Sequence, residues 1–163
     1  SVDLQESRLE AARTSGADVT LNPQTTDDVA LAIRDITDNR GADVVFEAST
    51  STVALHEAIR TAGYNCRVIV VSYYAGEAKG LYLGEEFHHN RIRLISSQNA
   101  NVNPHLHPAW DSGRKHEAAI ASLSQLKLDH LISHTIPAEE AQRAFDLVDQ
   151  DQGNCLQVVL SYE

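Results

Sequence analysis

The sequence predicts an α/β fold built on a mainly parallel sheet, and three observations predict it. Helical periodicity alternates with short β-branched runs through residues 1–98. Cys66 to Ser72 is continuously apolar at its centre, Val68-Ile69-Val70-Val71, as a strand covered on both faces requires. Gly16, Gly41 and Gly63 each follow a helical stretch, where a helix end calls for glycine. Such alternation implies right-handed crossovers and a doubly wound sheet.

Taken in order, Ser1-Val2-Asp3 reads as the exit of a strand. An amphipathic helix follows from Leu4 to Ser15, and Gly16 caps it. Asp18 to Leu21 is a short strand stopped by Asn22-Pro23. Thr26 or Asp27 caps a helix to about Asn39, with Val29, Ala32, Ile33 and Ile36 as its apolar stripe. Gly41 ends that helix, and Ala42 to Glu47 is a buried strand. A third helix spans Ser51 to Ala62, with Gly63 closing it before the strand at Cys66 to Ser72. A glycine-containing stretch, Tyr73 to Asn90, leads to a strand at Ile92 to Ser96.

The pattern then changes. Asn99 to Pro108 is a polar loop, and a helix starts at Asp111 or Ser112 and reaches about Leu126. Leu131 to Ile136 is a strand. Pro137-Ala138-Glu139-Glu140 opens a helix to about Gln150, with proline in its permitted first turn. Gln157 to Ser161 closes the chain as a strand. This tail reads as a helix-strand-helix-strand return segment.

Composition narrows the function classes. The chain has 163 residues, 42% of them hydrophobic, enough for one sizeable core. Its net charge of -10 opposes a phosphate backbone, so nucleic acid is not expected as a partner. No apolar run approaches membrane-spanning length, and no leader with a charged start and small-residue cleavage site is present. Cys66 and Cys155 lie far apart, each at the start of an expected strand, and fit free buried thiols of a cytoplasmic protein.

Several motifs, in order, resemble the medium-chain, zinc-type alcohol dehydrogenase-like family. Asp3, Arg8, Ala11-Ala12 and Gly16-Ala17-Asp18 resemble its second strand-helix-strand unit. Gly41-Ala42-Asp43-Val44-Val45-Phe46-Glu47-Ala48 is similar to its fourth cofactor-domain strand, and Arg67-Val68-Ile69-Val70-Val71 to its fifth. Gly84 to Arg91, leading to Ser97-Gln98, is similar to the surroundings of the sixth strand in one zinc-type branch. Ile132-Ser133-His134, Ile136-Pro137, Glu140-Ala141 and Ala144-Phe145 resemble its C-terminal return. No G-x-G-x-x-G occurs in the chain.

The resemblance implies an incomplete Rossmann-like domain. Residues 1–98 would be a partial NAD(P)-binding domain, and 99–163 a return segment packing on it and on a catalytic domain outside the sequence. The glycine-rich first unit and the N-terminal catalytic domain, with its zinc ligands and proton relay, would likewise lie outside it. A missing first strand would leave a gap, which either the second and fourth strands close by pairing directly or another chain fills. Family members also associate through the sixth-strand edge, which here implies a homodimer through Ile92 to Ser96.

The implied function is hydride transfer between a nicotinamide cofactor and a small alcohol or carbonyl compound. NAD is expected over NADP, zinc only through the absent domain, and no turnover from these residues alone. The rival readings are a non-catalytic nucleotide-binding or scaffolding module, and an enzyme of other chemistry on the same fold. Asp3 would accept hydrogen bonds from the adenosine ribose hydroxyls and repel the 2′-phosphate of NADP. It could equally cap the first helix, with Glu6 completing a capping box. Arg8 would flank the same ribose. Ala48, Ser49, Ser72 and Tyr73 follow the two strongest strands, where ligands of open α/β sheets bind, and would meet the nicotinamide half.

The remaining conspicuous residues read as structure. His88-His89 and His105-x-His107 lack a third nearby ligand. Trp110 reads as a packing anchor, and Glu139-Glu140 as charges complementing a helix dipole.

Overall fold

The computed structural model describes residues 1–151 and 153–162. They form two compact units, one of residues 1–27 with 116–163 and one of residues 28–115.

In the second unit, α2 (Val29–Asp35), β1 (Ala42–Glu47), α3 (Thr52–Thr61), β2 (Ala62–Val70), α4 (Glu86–His89) and β3 (Arg93–Ser96) follow one another. The three strands form one sheet in the order β1-β2-β3, and both pairings are parallel. The core lies under α3. Leu55, Ala58 and Ile59 recur at helical spacing on one face and meet Val68, Val70 and Ile92, with Ile59 and Val68 fully shielded from solvent. Ser51 caps α3, its Oγ accepting from the Ala54 amide at 3.4 Å.

α3 runs directly into β2, and Gly63 does not cap it. Ala62 already has extended φ and ψ, so there is no left-handed turn to fill. Glycine serves a different need there. A Cβ at Gly63 would stand 2.6 Å from the Arg40 carbonyl oxygen, and one at Gly41 would stand 2.9 Å from the Gly63 nitrogen. The two backbones touch at these positions. Gly41 does meet the sequence expectation, ending its stretch with φ +78. α2 is shorter than expected, because Asp28 rather than Thr26 or Asp27 caps it. Asp28 Oδ1 accepts the Leu31 amide at 2.9 Å, and residues Ile36 to Asn39 form turns instead of a further helical turn.

One guanidinium organises the helices of this unit. Arg60, near the end of α3, reaches Asp28 at 2.6 Å, Glu57 at 2.9 Å and Glu86 at 3.4 Å. The Arg60 guanidinium, followed by the Leu31 amide, holds the Asp28 carboxyl below the usual carboxylate range.

The first unit contains α1 (Glu6–Thr14), β4 (Ile132–Pro137), α6 (Ala141–Gln150) and β5 (Gln157–Ser161). β4 and β5 pair in parallel. α5 (Ser112–Leu123) has its first four residues in the second unit and the rest in the first. Leu9 is the buried residue of α1, and Arg13 on its exposed side pairs with Glu6 and Glu10. Gly16 at φ +102 ends α1 as expected, its amide bonding the Arg13 carbonyl at 2.9 Å.

Two readings in this unit need correction. The expected strand at Asp18 to Leu21 reduces to one parallel bridge, Val2 to Leu21. Pro137 ends β4, and Glu139-Glu140 lie in a short 3-10 turn before α6, outside the first turn of that helix. Glu140 instead pairs with Arg143 at 2.7 Å. Both cysteines are free, Cys155 buried and Cys66 only half-buried. Among the described residues, no helix is long and apolar enough to cross a membrane.

Candidate functional site

Two groups of expected site residues fall in the two units. In the first unit, the chain leaves the Val2–Leu21 bridge at Asp3, whose amide bonds the Leu21 carbonyl at 3.3 Å. Asp3 Oδ1 accepts the Gln5 amide at 2.8 Å, and Oδ2 lies 3.9 Å from the Arg8 guanidinium. This is an Asx turn, not the capping box. The residue at the N-cap of α1 is Gln5, which makes no side-chain cap bond. Asp3 is 31% and Arg8 42% exposed at the side chain, so both remain open to a ligand. Arg8 also borders an open cleft of about 490 Å³ lined by Val148, Cys155, Leu156, Gln157 and Val158.

In the second unit, the carboxyl ends of β1 and β2 stand side by side, because parallel register sets Glu47 opposite Val70. Ala48 and Ser49 follow β1 and are exposed. Ser72 and Tyr73 lie just past β2, with Tyr73 82% exposed. Ser49 and Ser72 are brought together by a residue the sequence reading did not single out. Glu47 is only 4% exposed, yet its carboxylate is fully engaged. Its Oε1 accepts the Ser49 amide at 2.7 Å and the Ser49 hydroxyl, and its Oε2 accepts the Tyr74 hydroxyl. Its backbone carbonyl accepts the Val71 amide at 2.9 Å and the Ser72 hydroxyl at 3.4 Å.

The network continues along the loop. Ser72 Oγ accepts the Thr50 amide at 3.0 Å, and Ser49 Oγ accepts the Ser51 amide at 3.1 Å. Thr50 is held at φ 63, the left-handed region. Burial, the largest single influence on Glu47, raises its carboxyl. The Ser49 and Tyr74 hydroxyls, the Ser49 amide and Ser72 together outweigh it and hold the group below its ordinary value. Burial first, and Glu47 second, push the Tyr74 phenol up.

Tyr73 takes no part in this network; its neighbour Tyr74 does. The signal that could have found Glu47 is a carboxylate as the last residue of an otherwise apolar strand, followed two residues later by serine. Trp110 is half-buried and carries the Arg114 guanidinium 4.5 Å above its ring. Among the described residues, no three His, Cys, Asp or Glu side chains converge as metal ligands, so the donors present do not fit zinc. The Asp3 carboxylate, an acceptor, does fit a sugar diol. A half-exposed carboxylate, with one oxygen engaged only by a 3.9 Å ion pair, can still accept hydroxyl hydrogens.

A model of the zinc-binding dehydrogenase family matches residues 1–112. D-guloside 3-dehydrogenase of Escherichia coli (strain K12) is 34% identical over 116 residues, which make up 71% of this chain and 33% of that protein. NAD-dependent alcohol dehydrogenase of Sulfurisphaera tokodaii is 28% identical over 146 residues, 89% of this chain and 38% of that one. An alcohol dehydrogenase structure from Thermotoga maritima superposes with a TM-score of 0.79 at 27% identity, covering 99% of this chain and 42% of that one. The chain therefore spans well under half the length of these relatives. The α/β architecture, the ordered motifs and the family match over most of the chain agree: it belongs to the zinc-binding dehydrogenase family.

Proposed function

We propose that this chain binds a nicotinamide cofactor, with preference for NAD, within an oxidoreductase that interconverts small alcohols and carbonyl compounds. The observation that carries the reading is Asp3. It leaves the Val2–Leu21 bridge with a partly open carboxylate beside Arg8, inside the stretch matched by the family model. A carboxylate there accepts from both ribose hydroxyls and repels a 2′-phosphate. The name of the Sulfurisphaera tokodaii relative, an NAD-dependent alcohol dehydrogenase, supports the same cofactor.

The bound cofactor supplies the hydride chemistry, and the protein supplies binding and orientation. Asp3 and Arg8 hold the adenosine ribose. Ala48, Ser49, Ser72 and Tyr73 are proposed as contacts of the nicotinamide half, where small side chains permit close backbone approach. Residues 1–98 are proposed as the cofactor-binding portion and 99–163 as a return segment. The 163 residues by themselves are expected to bind without turnover, since no metal-ligand set is found among the described residues and the sequence has no G-x-G-x-x-G turn. A cytoplasmic setting and a homodimer through the β3 edge belong to the same reading.

The test is fluorescence titration with NADH and NADPH. The chain should bind NADH more tightly, and Asp3→Ala should reduce that preference by about tenfold, the equivalent of about 1.4 kcal/mol. Equal affinity for the two cofactors in the unaltered chain, or an unchanged preference in the variant, would overturn the assignment of Asp3. Binding of neither would overturn the cofactor reading of the isolated chain.

A further inference from the structure

We propose that Glu47 is a positioning residue, setting the two loops after β1 and β2 so that Ser49 and Ser72 are presented to the cofactor. The proposal rests on the cofactor reading above. Its geometric basis is independent. A carboxylate 4% exposed has no cationic partner within 4 Å among the described residues, and its bonds run to neutral donors on two loops.

A buried charge without a counter-ion is costly unless donors surround it. Here the donors come from Ser49 and from Tyr74, which are separated in sequence and meet at the Glu47 carboxylate. Through Ser49 Oγ the chain of bonds reaches the amide of Ser51, the cap of α3. A second path, independent of the carboxylate, runs from the Glu47 backbone carbonyl through Ser72 Oγ to the amide of Thr50. Each bond fixes a backbone group of the very segments proposed to meet the nicotinamide half. Thr50 sits in a strained left-handed conformation, which persists only when its surroundings over-determine it. Ser72 holds its amide from one side, and the Glu47 carboxylate fixes the adjoining Ser49 on the other.

Glu47→Gln keeps the shape and one acceptor while introducing an amide that cannot accept at both positions. Two measurements on the full chain test the proposal. Amide hydrogen exchange at Ser49 and Ser51 should accelerate about tenfold while that of Val68 and Ile69 stays unchanged, the mark of local loosening. The NADH dissociation constant should rise about tenfold, as expected when a preorganised loop must be ordered on binding. Val68→Ala, a core change remote from the loops, serves as the stability control and should leave NADH affinity within about twofold. Should Glu47→Gln fail to fold, Tyr74→Phe removes one donor and should show the same pattern at about a third of the size.

Unchanged exchange at Ser49 and Ser51 would overturn the proposal. So would faster exchange with unaltered NADH affinity, or an affinity loss matched by Val68→Ala. If the unaltered chain binds no NADH, the cofactor reading of the isolated chain fails instead, and exchange alone decides whether Glu47 holds the loops.

Discussion

Replacing Gly63 by alanine adds one methyl group where two stretches of backbone meet. The new Cβ would lie 2.6 Å from the Arg40 carbonyl oxygen and 3.3 Å from the Cys66 sulfur. The shortest comfortable carbon–oxygen contact is about 3.3 Å, so the overlap with Arg40 is about 0.7 Å. The sulfur can yield by a rotamer change, but the carbonyl cannot. Arg40 is tied to Gly41, whose own Cβ position is blocked at 2.9 Å by Gly63 and Thr61. Forced shifts of this kind cost about 1 to 3 kcal/mol, here at the upper end because both sides are backbone. Restricting the unfolded chain returns about 0.4 to 1 kcal/mol, leaving a net loss near 2 kcal/mol. Gly84 is the internal control, since its φ is not left-handed and a Cβ there meets nothing within 4 Å. Gly84→Ala should therefore be neutral or stabilising by up to about 1 kcal/mol. Urea unfolding followed by circular dichroism should move the Gly63→Ala midpoint down by about 1 M at unchanged slope. A Gly63→Ala midpoint equal to that of the unaltered protein would refute the claim that these backbones touch.

Other expectations follow from the same packing and charges. Ile59 is fully buried under α3, so Ile59→Ala should cost about 2 to 5 kcal/mol in the same assay. Asp28→Asn keeps the helix cap but removes the charge facing Arg60, and should cost about 1 kcal/mol at neutral pH. Because the folded-state value of Asp28 is depressed, its stabilisation is present above the ordinary carboxylate value. It is lost as pH falls through the depressed one. The stability gap between Asp28→Asn and the unaltered protein should thus close in acid, below about pH 4, and a gap that persists there would contradict the ion pair.

The sequence made the fold legible wherever the signal was local. Ala42–Glu47 and Gln157–Ser161 form with the expected bounds, because a β-branched run between turn residues fits little else. Local signals failed where pairing decides. Val19-Thr20-Leu21 has strand propensity, yet it makes only the bridge to Val2, since a ladder needs a partner with the same reach. Gly63 after a helix resembles a cap, and only the approach of Arg40 from elsewhere in the chain reveals its actual constraint. The candidate site shows the same division. Ser49 and Ser72 could be found by counting past strand ends. That Tyr74 rather than Tyr73 bonds Glu47 could not, because adjacent residues of an extended chain face opposite ways. Glu47 was hidden because its partner Tyr74 comes 27 residues later.

The three carboxylates gathered by Arg60 have a dynamic consequence. Asp28 belongs to the start of α2, Glu57 to α3 and Glu86 to the first turn of α4, a helix of only four residues. So short a helix has little stability of its own, since nucleation is costly. Fraying of α4 would release Glu86 from the same cation that steadies the opening of α2. Transient openings at these two places, distant in sequence, should then share one free energy, and the segments should exchange their protons as a single cooperative block.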